Sequence, residues 1–371
     1  MILLYADDPG GCNYLAPLAK ALSGRAESHA FLVPSSLQKY AADRGMNVQI
    51  RPVDSSAQAL LSGVDLLIVG TSEDPMCFAH ELVTEARQAS VPSLGVVDMN
   101  VNADRRFRAD TSDPLALAPD WLAVSDALAA ESFRRLGFPS ERILVCGHPH
   151  FDEVRARRAH LSTQERDALR VQAFGVDPVD RPIWVFLAEG VDQLNPTESH
   201  RTAQYTLTGR GTSDFRGAIV LQEVLDAARD MHPRPWVVLR LHPKSWAADF
   251  ASVAGEVDQV SREGDPLQLI YAADLVIGMS TMLLVEAYLL GCAHLSVLPR
   301  PCERQWLFTL ERGLTQVVST RESLREALAS APGHFRPAGD ELLADATAQL
   351  ISFINAKAWR LCNTQTPSRG Y

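Results

Sequence analysis

The stretch LIYAADLVIGMSTMLLVEAYLLGCAHLSVLP, Leu269 to Pro299, joins apolar blocks through one small polar insert. ADLVIGM reads as a buried strand, TMLLVEAYLLG as a helix closed by glycine, and AHLSVLP as the next strand, which together make a βαβ unit. The insert Gly278-Met279-Ser280-Thr281 marks the joint. Ser280 or Thr281 is expected to cap the helix, leaving backbone N–H groups at its start, and such a terminus takes a phosphate. Glu286 lies six residues after Ser280, about one and a half turns along, within reach of a ligand lying across the helix start. A plain capped helix whose carboxylate pairs with a neighbouring cation fits the same spacing.

The same rhythm runs outward in both directions. MILLYA, HAFLVP, VQIRPV, DLLIVGT, VPSLGVVD, DWLAVSD and RILVCG are short apolar runs, most followed by segments of helical period, the first from about Asn13 to Leu22. Around Gly147 the pattern pauses in a charged helical segment, Phe151 to Pro182, and then PIWVFLAEG and PWVVLRLHP resume it. Alternating strands and helices predict parallel sheets. The expected fold is therefore α/β, with two Rossmann-like doubly wound domains, residues 1–155 and 156–371, facing across a cleft. The last amphipathic helix is expected to pack on one domain or bridge back to the other. Ligands of such sheets bind outside the carboxyl ends of the strands. The polar segment Val191–Arg216 is long for a loop, and substrate recognition and a plain surface insertion both suit it.

A chain of 371 residues with 46% hydrophobic and 22% charged residues is of ordinary globular composition. The net charge of −10 argues against a sequence-independent grip on nucleic acid. No apolar run is long enough for a spanning helix. MILLYADDPGG turns polar at once and reads as a first strand instead of a leader. Cys12, Cys77, Cys146, Cys292, Cys302 and Cys362 show no CxxC spacing and read as reduced thiols, so the expected location is the cytoplasm. GxSxG, GKS and GxGxxG are all missing, which leaves hydrolase, kinase and dehydrogenase readings with little support. His148 and His150 lack a third ligand at a useful spacing, so a hinge role is expected there and no metal.

Four segments carry a family resemblance: ADDPGGCNYLAPLAKAL (Ala6–Leu22), VCGHPHFDEV (Val145–Val154), RLHPKS (Arg240–Ser245) and the Ser280–Glu286 spacing. In this order they resemble the GT-B superfamily, which includes sugar-nucleotide glycosyltransferases and UDP-N-acetylglucosamine 2-epimerases. The resemblance implies that the nucleotide pyrophosphate rests on Gly278, Met279, Ser280, Thr281 and Met282 and that Glu286 binds the ribose. Two features of the epimerases are absent: their tandem glycine, where Met282 and Leu283 stand, and their Arg/His-rich loop, where FLAEGVDQ stands. Teichoic-acid polyol-phosphate transferases carry a related turn.

The resemblance, with position in the chain, implies further roles. Asp7 is read as a general base for an acceptor hydroxyl, with Asp8 as competitor or helix cap. Gly10 and Gly11 allow close backbone approach, and Asn13 stands where some relatives place a histidine. Asp98 occupies a place comparable to a catalytic acid of the epimerases. Arg105 and Arg106 are read as binding an acceptor carboxylate or phosphate, although surface salt bridges suit them equally. His242 is read as a donor to the leaving phosphate, with Arg240 and Lys244 neutralising charge there. A buried histidine that only steadies its loop fits His242 as well. Glu189 and Gly190 end a strand where GT-B proteins use a tight loop near the diphosphate, and Arg300, Glu303 and Arg304 are expected to complete the rim. The leading expectation is a glycosyltransferase with a nucleotide-sugar donor, UDP favoured, a hydroxyl acceptor and no separate cofactor. UDP-sugar 2-epimerase or hydrolase, CDP-polyol phosphotransferase and a non-catalytic nucleotide-binding protein are the alternatives.

Overall fold

The computed structural model describes residues 1–99, 101–175, 181–190, 196–243, 245–330 and 344–356. The chain divides into two compact units, 1–153 with 341–371, and 154–340. The first holds β1 (Ile2–Tyr5), β2 (His29–Val33), β3 (Gln49–Ile50), β4 (Leu66–Gly70), β5 (Ser93–Val97), β6 (Trp121–Val124) and β7 (Ile143–Val145). They form one parallel sheet in the order β3-β2-β1-β4-β5-β6-β7. The second unit holds β8 (Ile183–Leu187), β9 (Trp236–Arg240), β10 (Gln259–Ser261), β11 (Leu275–Gly278), β12 (His294–Val297) and β13 (Gln316–Val318). Their order is β10-β9-β8-β11-β12-β13, again all parallel.

Both sheets are wound alike. Each runs outward from its first strand on one side, then returns to that strand and proceeds the other way. The reversal falls between β1 and β4 in the first unit and between β8 and β11 in the second. These switch points are where doubly wound sheets bind ligands.

Side chains of successive strand residues point to opposite faces, so each central strand serves two layers of core. In β1, Leu3 and Tyr5 join Leu67, Val69, Leu82 and Val83 on one face. Leu4 points the other way, to Leu15, Leu18, Leu22 and Ile68. That second layer also takes Leu350, Ile351 and Ile354 from the helix Ala346–Ala356. This helix therefore packs in the first unit, against the helix Pro9–Gly24, and not with the 156–371 half in which its sequence stands. Asp152 holds its start, accepting from the N–H groups of Asp345 at 3.1 Å and Thr347 at 3.3 Å. Trp121 meets Phe353 edge-on at 5.4 Å.

The helix Pro9–Gly24 begins before the expected Asn13, because Asp8 caps it and Pro9 supplies its first turn. The charged segment after Gly147 forms two helices, Pro149–Leu161 and Arg166–Phe174. Among the described residues no helix is long and apolar enough to cross a membrane.

Candidate functional site

In the first unit the candidates gather behind β1, β4 and β5. Asp8 accepts from the Gly11 N–H at 2.8 Å, which is its capping bond. Asp7, read as a base, has both oxygens engaged: one accepts from the Tyr5 hydroxyl at 2.8 Å, the other from the Ala79 N–H at 2.9 Å. The helix Phe78–Gln88 has no side-chain cap of its own at Cys77. Asp7 supplies that missing acceptor. Burial, reinforced by Asp7, pushes the Tyr5 phenol upward, so its proton stays on the bond.

Asp98, one residue past β5, is differently placed. Its Oδ1 accepts from Arg106 Nη1 at 3.0 Å. Its Oδ2 lies where a Cβ on Gly10 would be, 2.0 Å from such an atom. Only glycine at position 10 lets this carboxylate settle on the first turn of the helix Pro9–Gly24. Arg106 is 3% exposed and also donates to the Thr71 carbonyl at 3.0 Å and to Thr71 Oγ1 at 3.1 Å. It orients Asp98 and is not displayed to bind an acceptor. Arg105 is half-buried. Gly11 faces Gly70 across the helix–strand contact, where a Cβ on Gly70 would lie 2.9 Å from the Gly11 Cα. Its smallness serves packing. Asn13 accepts from the Tyr40 hydroxyl at 2.8 Å.

His148 is buried, with ring centroids 4.5 Å from Tyr14 and 4.6 Å from Phe151. Burial pushes the Cys12 and Cys77 thiols up to about 12 and Cys146 up to about 11, which keeps them protonated and poor nucleophiles.

The second unit brings the opening stretch together with Glu189. Thr281 caps the helix Met282–Leu290, accepting from the Leu283 N–H at 3.3 Å. Gly278 packs tightly under it, since an added Cβ would meet Thr281 Cγ2 at 3.1 Å and Leu284 Cγ at 3.2 Å. Ser296 Oγ donates to the Met279 carbonyl at 2.5 Å and fixes the turn from below. The Ser280 N–H donates to Glu189 Oε1, and the Ser280 hydroxyl lies 3.3 Å from Glu189 Oε2. A carboxylate thus already occupies the anion-binding turn. The Glu189 carbonyl in turn accepts from Ser245 Oγ at 2.8 Å, beside Gly190, which is half-buried.

Arg216 is the residue that sequence reasoning missed. It opens the helix Arg216–Arg229 and pairs with both Glu189 and Glu303. Glu303, fully buried, also pairs with Arg300 at 2.5 Å. Burial works against the charge of Arg216, but the two carboxylates more than offset this and raise its pKa. Trp306 backs both guanidinium groups, at 5.3 Å from Arg216 and 5.1 Å from Arg300. A cation at the positive end of a helix is unfavourable without an acid partner. That misfit was the available signal.

One nucleotide-site expectation changes, that for Arg240. Arg240 is 7% exposed and donates to Ser261 Oγ at 2.8 Å and to the Gly264 carbonyl at 2.9 Å, so it braces the loop after β10. Glu286 is 5% exposed, within the buried face of its helix. His242 is half-buried just after β9, Met282 is half-buried at its helix start, and Lys244 lies outside the described residues.

No family model and no curated relative matches the chain. Solved structures do. UDP-GlcNAc 2-epimerase from Methanocaldococcus jannaschii is similar over 96% of this chain and 99% of its own, at 13% identity and TM-score 0.65. The enzyme from Neisseria meningitidis, solved bound to UDP-GlcNAc, gives 14% identity, the same coverages and TM-score 0.65. MurG from Acinetobacter baumannii, a transferase, follows at 15% identity, 96% and 99% coverage and TM-score 0.50. The fold is GT-B. The glycosyltransferase expectation is corrected by these findings, because the epimerases match the whole chain better than the transferase does.

Proposed function

We propose, on the premise of the GT-B fold, that this protein is a UDP-sugar 2-epimerase. The observation that carries the reading is the end-to-end match to UDP-GlcNAc 2-epimerases, 96% of this chain against 99% of theirs. An epimerase needs one substrate and no acceptor, so the acceptor roles read into Asp7, Asp8 and Arg106 fall away. This agrees with the capping and bracing bonds those residues make.

Inverting a C–H centre requires a proton to leave one face of the carbon and a proton to arrive on the other, which is acid–base work. Asp98 is the candidate for that role, because Arg106 orients it and the absence of a side chain at Gly10 leaves room for its carboxylate. The Ser280–Thr281 turn is the candidate seat for the diphosphate, where N–H donors aimed at the charge favour it. Glu286 is the candidate ribose partner. The test incubates the protein with UDP-GlcNAc in deuterium oxide and follows the sugar by proton NMR. The expected result is the C2 epimer with deuterium at C2. Unchanged UDP-GlcNAc without exchange, in a protein that binds it, overturns the reading.

A further inference from the structure

Arg216, Arg300, Glu189 and Glu303 form a balanced cluster of two cations and two carboxylates around the Ser280 turn. The two acids are not equivalent. Glu303 has a fully buried side chain and is fixed by both arginines, whereas the Glu189 side chain is 18% exposed and reaches in from the end of β8. Glu189 receives the Ser280 N–H, the Ser280 hydroxyl and Arg216 together, the donor set that a phosphate oxygen would take. A second feature points to a ligand. Tyr205 is 8% exposed, its ring lies 5.3 Å from the Arg300 guanidinium, and its hydroxyl has no hydrogen-bond partner among the described residues. Burial raises its pKa, so it stays a donor. A buried donor without an acceptor is costly unless a ligand completes it.

We propose that Glu189 is a built-in anion that seats itself on the Ser280 turn and that a diphosphate displaces. This rests on the diphosphate seat of the proposed function and adds its regulation. In the exchange the carboxylate leaves Ser280 and the diphosphate, which carries at least one more negative charge, takes its place, while Arg216 keeps Glu303 and turns its other nitrogen to the newcomer. No covalent bond changes. Glu189 therefore sets a threshold. Weak monoanions compete poorly with it, and a diphosphate, which offers several acceptor oxygens to Ser280, Arg216 and Tyr205, competes well.

The experiment titrates inorganic pyrophosphate, and separately UDP, into the wild-type protein and into Glu189→Ala by calorimetry. Vacating the seat is expected to tighten pyrophosphate binding about tenfold or more, the scale on which one charge-assisted hydrogen bond shifts an equilibrium. Equal or weaker pyrophosphate binding by Glu189→Ala overturns the proposal, as does pyrophosphate binding by neither protein. If Glu189→Ala does not fold, Glu189→Gln, which keeps the shape and removes the charge, is expected to show a gain in the same direction, and an unchanged affinity there overturns it equally. Tyr205→Phe is expected to weaken pyrophosphate binding in the Glu189→Ala background, and no change removes Tyr205 from the seat and with it the second support. Tighter pyrophosphate binding with no epimerisation of UDP-GlcNAc sustains this inference and removes the proposed reaction. Epimerisation with unchanged pyrophosphate binding does the reverse.

Discussion

The two switch points solve one problem with different chemistry. Behind the first strand of each sheet stands an acid that reaches across to an N–H at the start of the helix after the neighbouring strand: Asp7 to Ala79 after β4, and Glu189 to Ser280 after β11. Among the described residues Asp7 meets neutral donors, Tyr5 and a backbone amide. Glu189 meets an amide, a hydroxyl and a guanidinium that is itself shared with a second acid. An acid among neutral donors is a cap. An acid within a cluster of exchangeable charges is one occupant among several that the site can hold.

The largest effect that sharpens this contrast comes from removing the fixed acid. Glu303→Gln leaves Arg216 and Arg300 with too little negative charge in a dry site, and the expected loss is about 3–5 kcal/mol in denaturant unfolding. A loss below about 1 kcal/mol would mean that the cluster is solvated and the contrast misdrawn. Asp7→Ala comes next. Two hydrogen bonds disappear, one of them the helix cap, so stability should drop by about 1–3 kcal/mol, while pyrophosphate affinity stays at the wild-type value. A change in affinity would place Asp7 in a binding site and erase the distinction.

Gly10→Ala tests the other acid of the first unit. Its new Cβ collides with the Asp98 carboxylate, and turnover of UDP-GlcNAc should fall by about tenfold or more at unchanged UDP affinity. Equal turnover would free Asp98 from the reaction.

The smallest effect separates a group buried neutral from one buried charged. Burial, and then His150, hold His148 well below its ordinary value of 6.5. The unfolded chain binds a proton below that pH and the folded chain does not, so His148 imposes no penalty above about pH 6.5 and a growing one below it. The slope is at most about 1.4 kcal/mol per pH unit. His148→Gln should flatten unfolding stability between about pH 6.5 and 5, as measured by denaturant titration at each pH, and an unaltered slope sinks the idea. Arg216, charged throughout that range, should contribute no such slope.

Much of the fold is legible in the sequence because the central strands are buried on both faces. LLIVG, IWVFL and LVIG read as strands without help from their neighbours. The outer strands QVS and QVV are not legible, since three residues on a sheet edge with partial exposure leave little apolar signal. The candidate site is legible in place more than in role. Ser280 and Glu189 stand where the pattern puts them, but their bond joins residues 91 apart. Whether Asp7 is base or cap depends on Ala79, 72 residues away. Arg216 has no local motif, and its acid partners are 27 and 87 residues distant. Hydrogen bonds of that span leave no periodicity to read.

The helix Ala346–Ala356 has a bearing on how the chain matures. Its Leu350, Ile351 and Ile354 complete a core layer begun by Leu4 and Leu15. A ribosome makes Leu4 well before Ile354, so the strands made early in this layer wait for a helix made after residues 154–340. Residues 154–340 form their own sheet and can mature in the interval. The first unit is thus completed after the second has been made, against the usual tendency of domains to fold in the order of their synthesis.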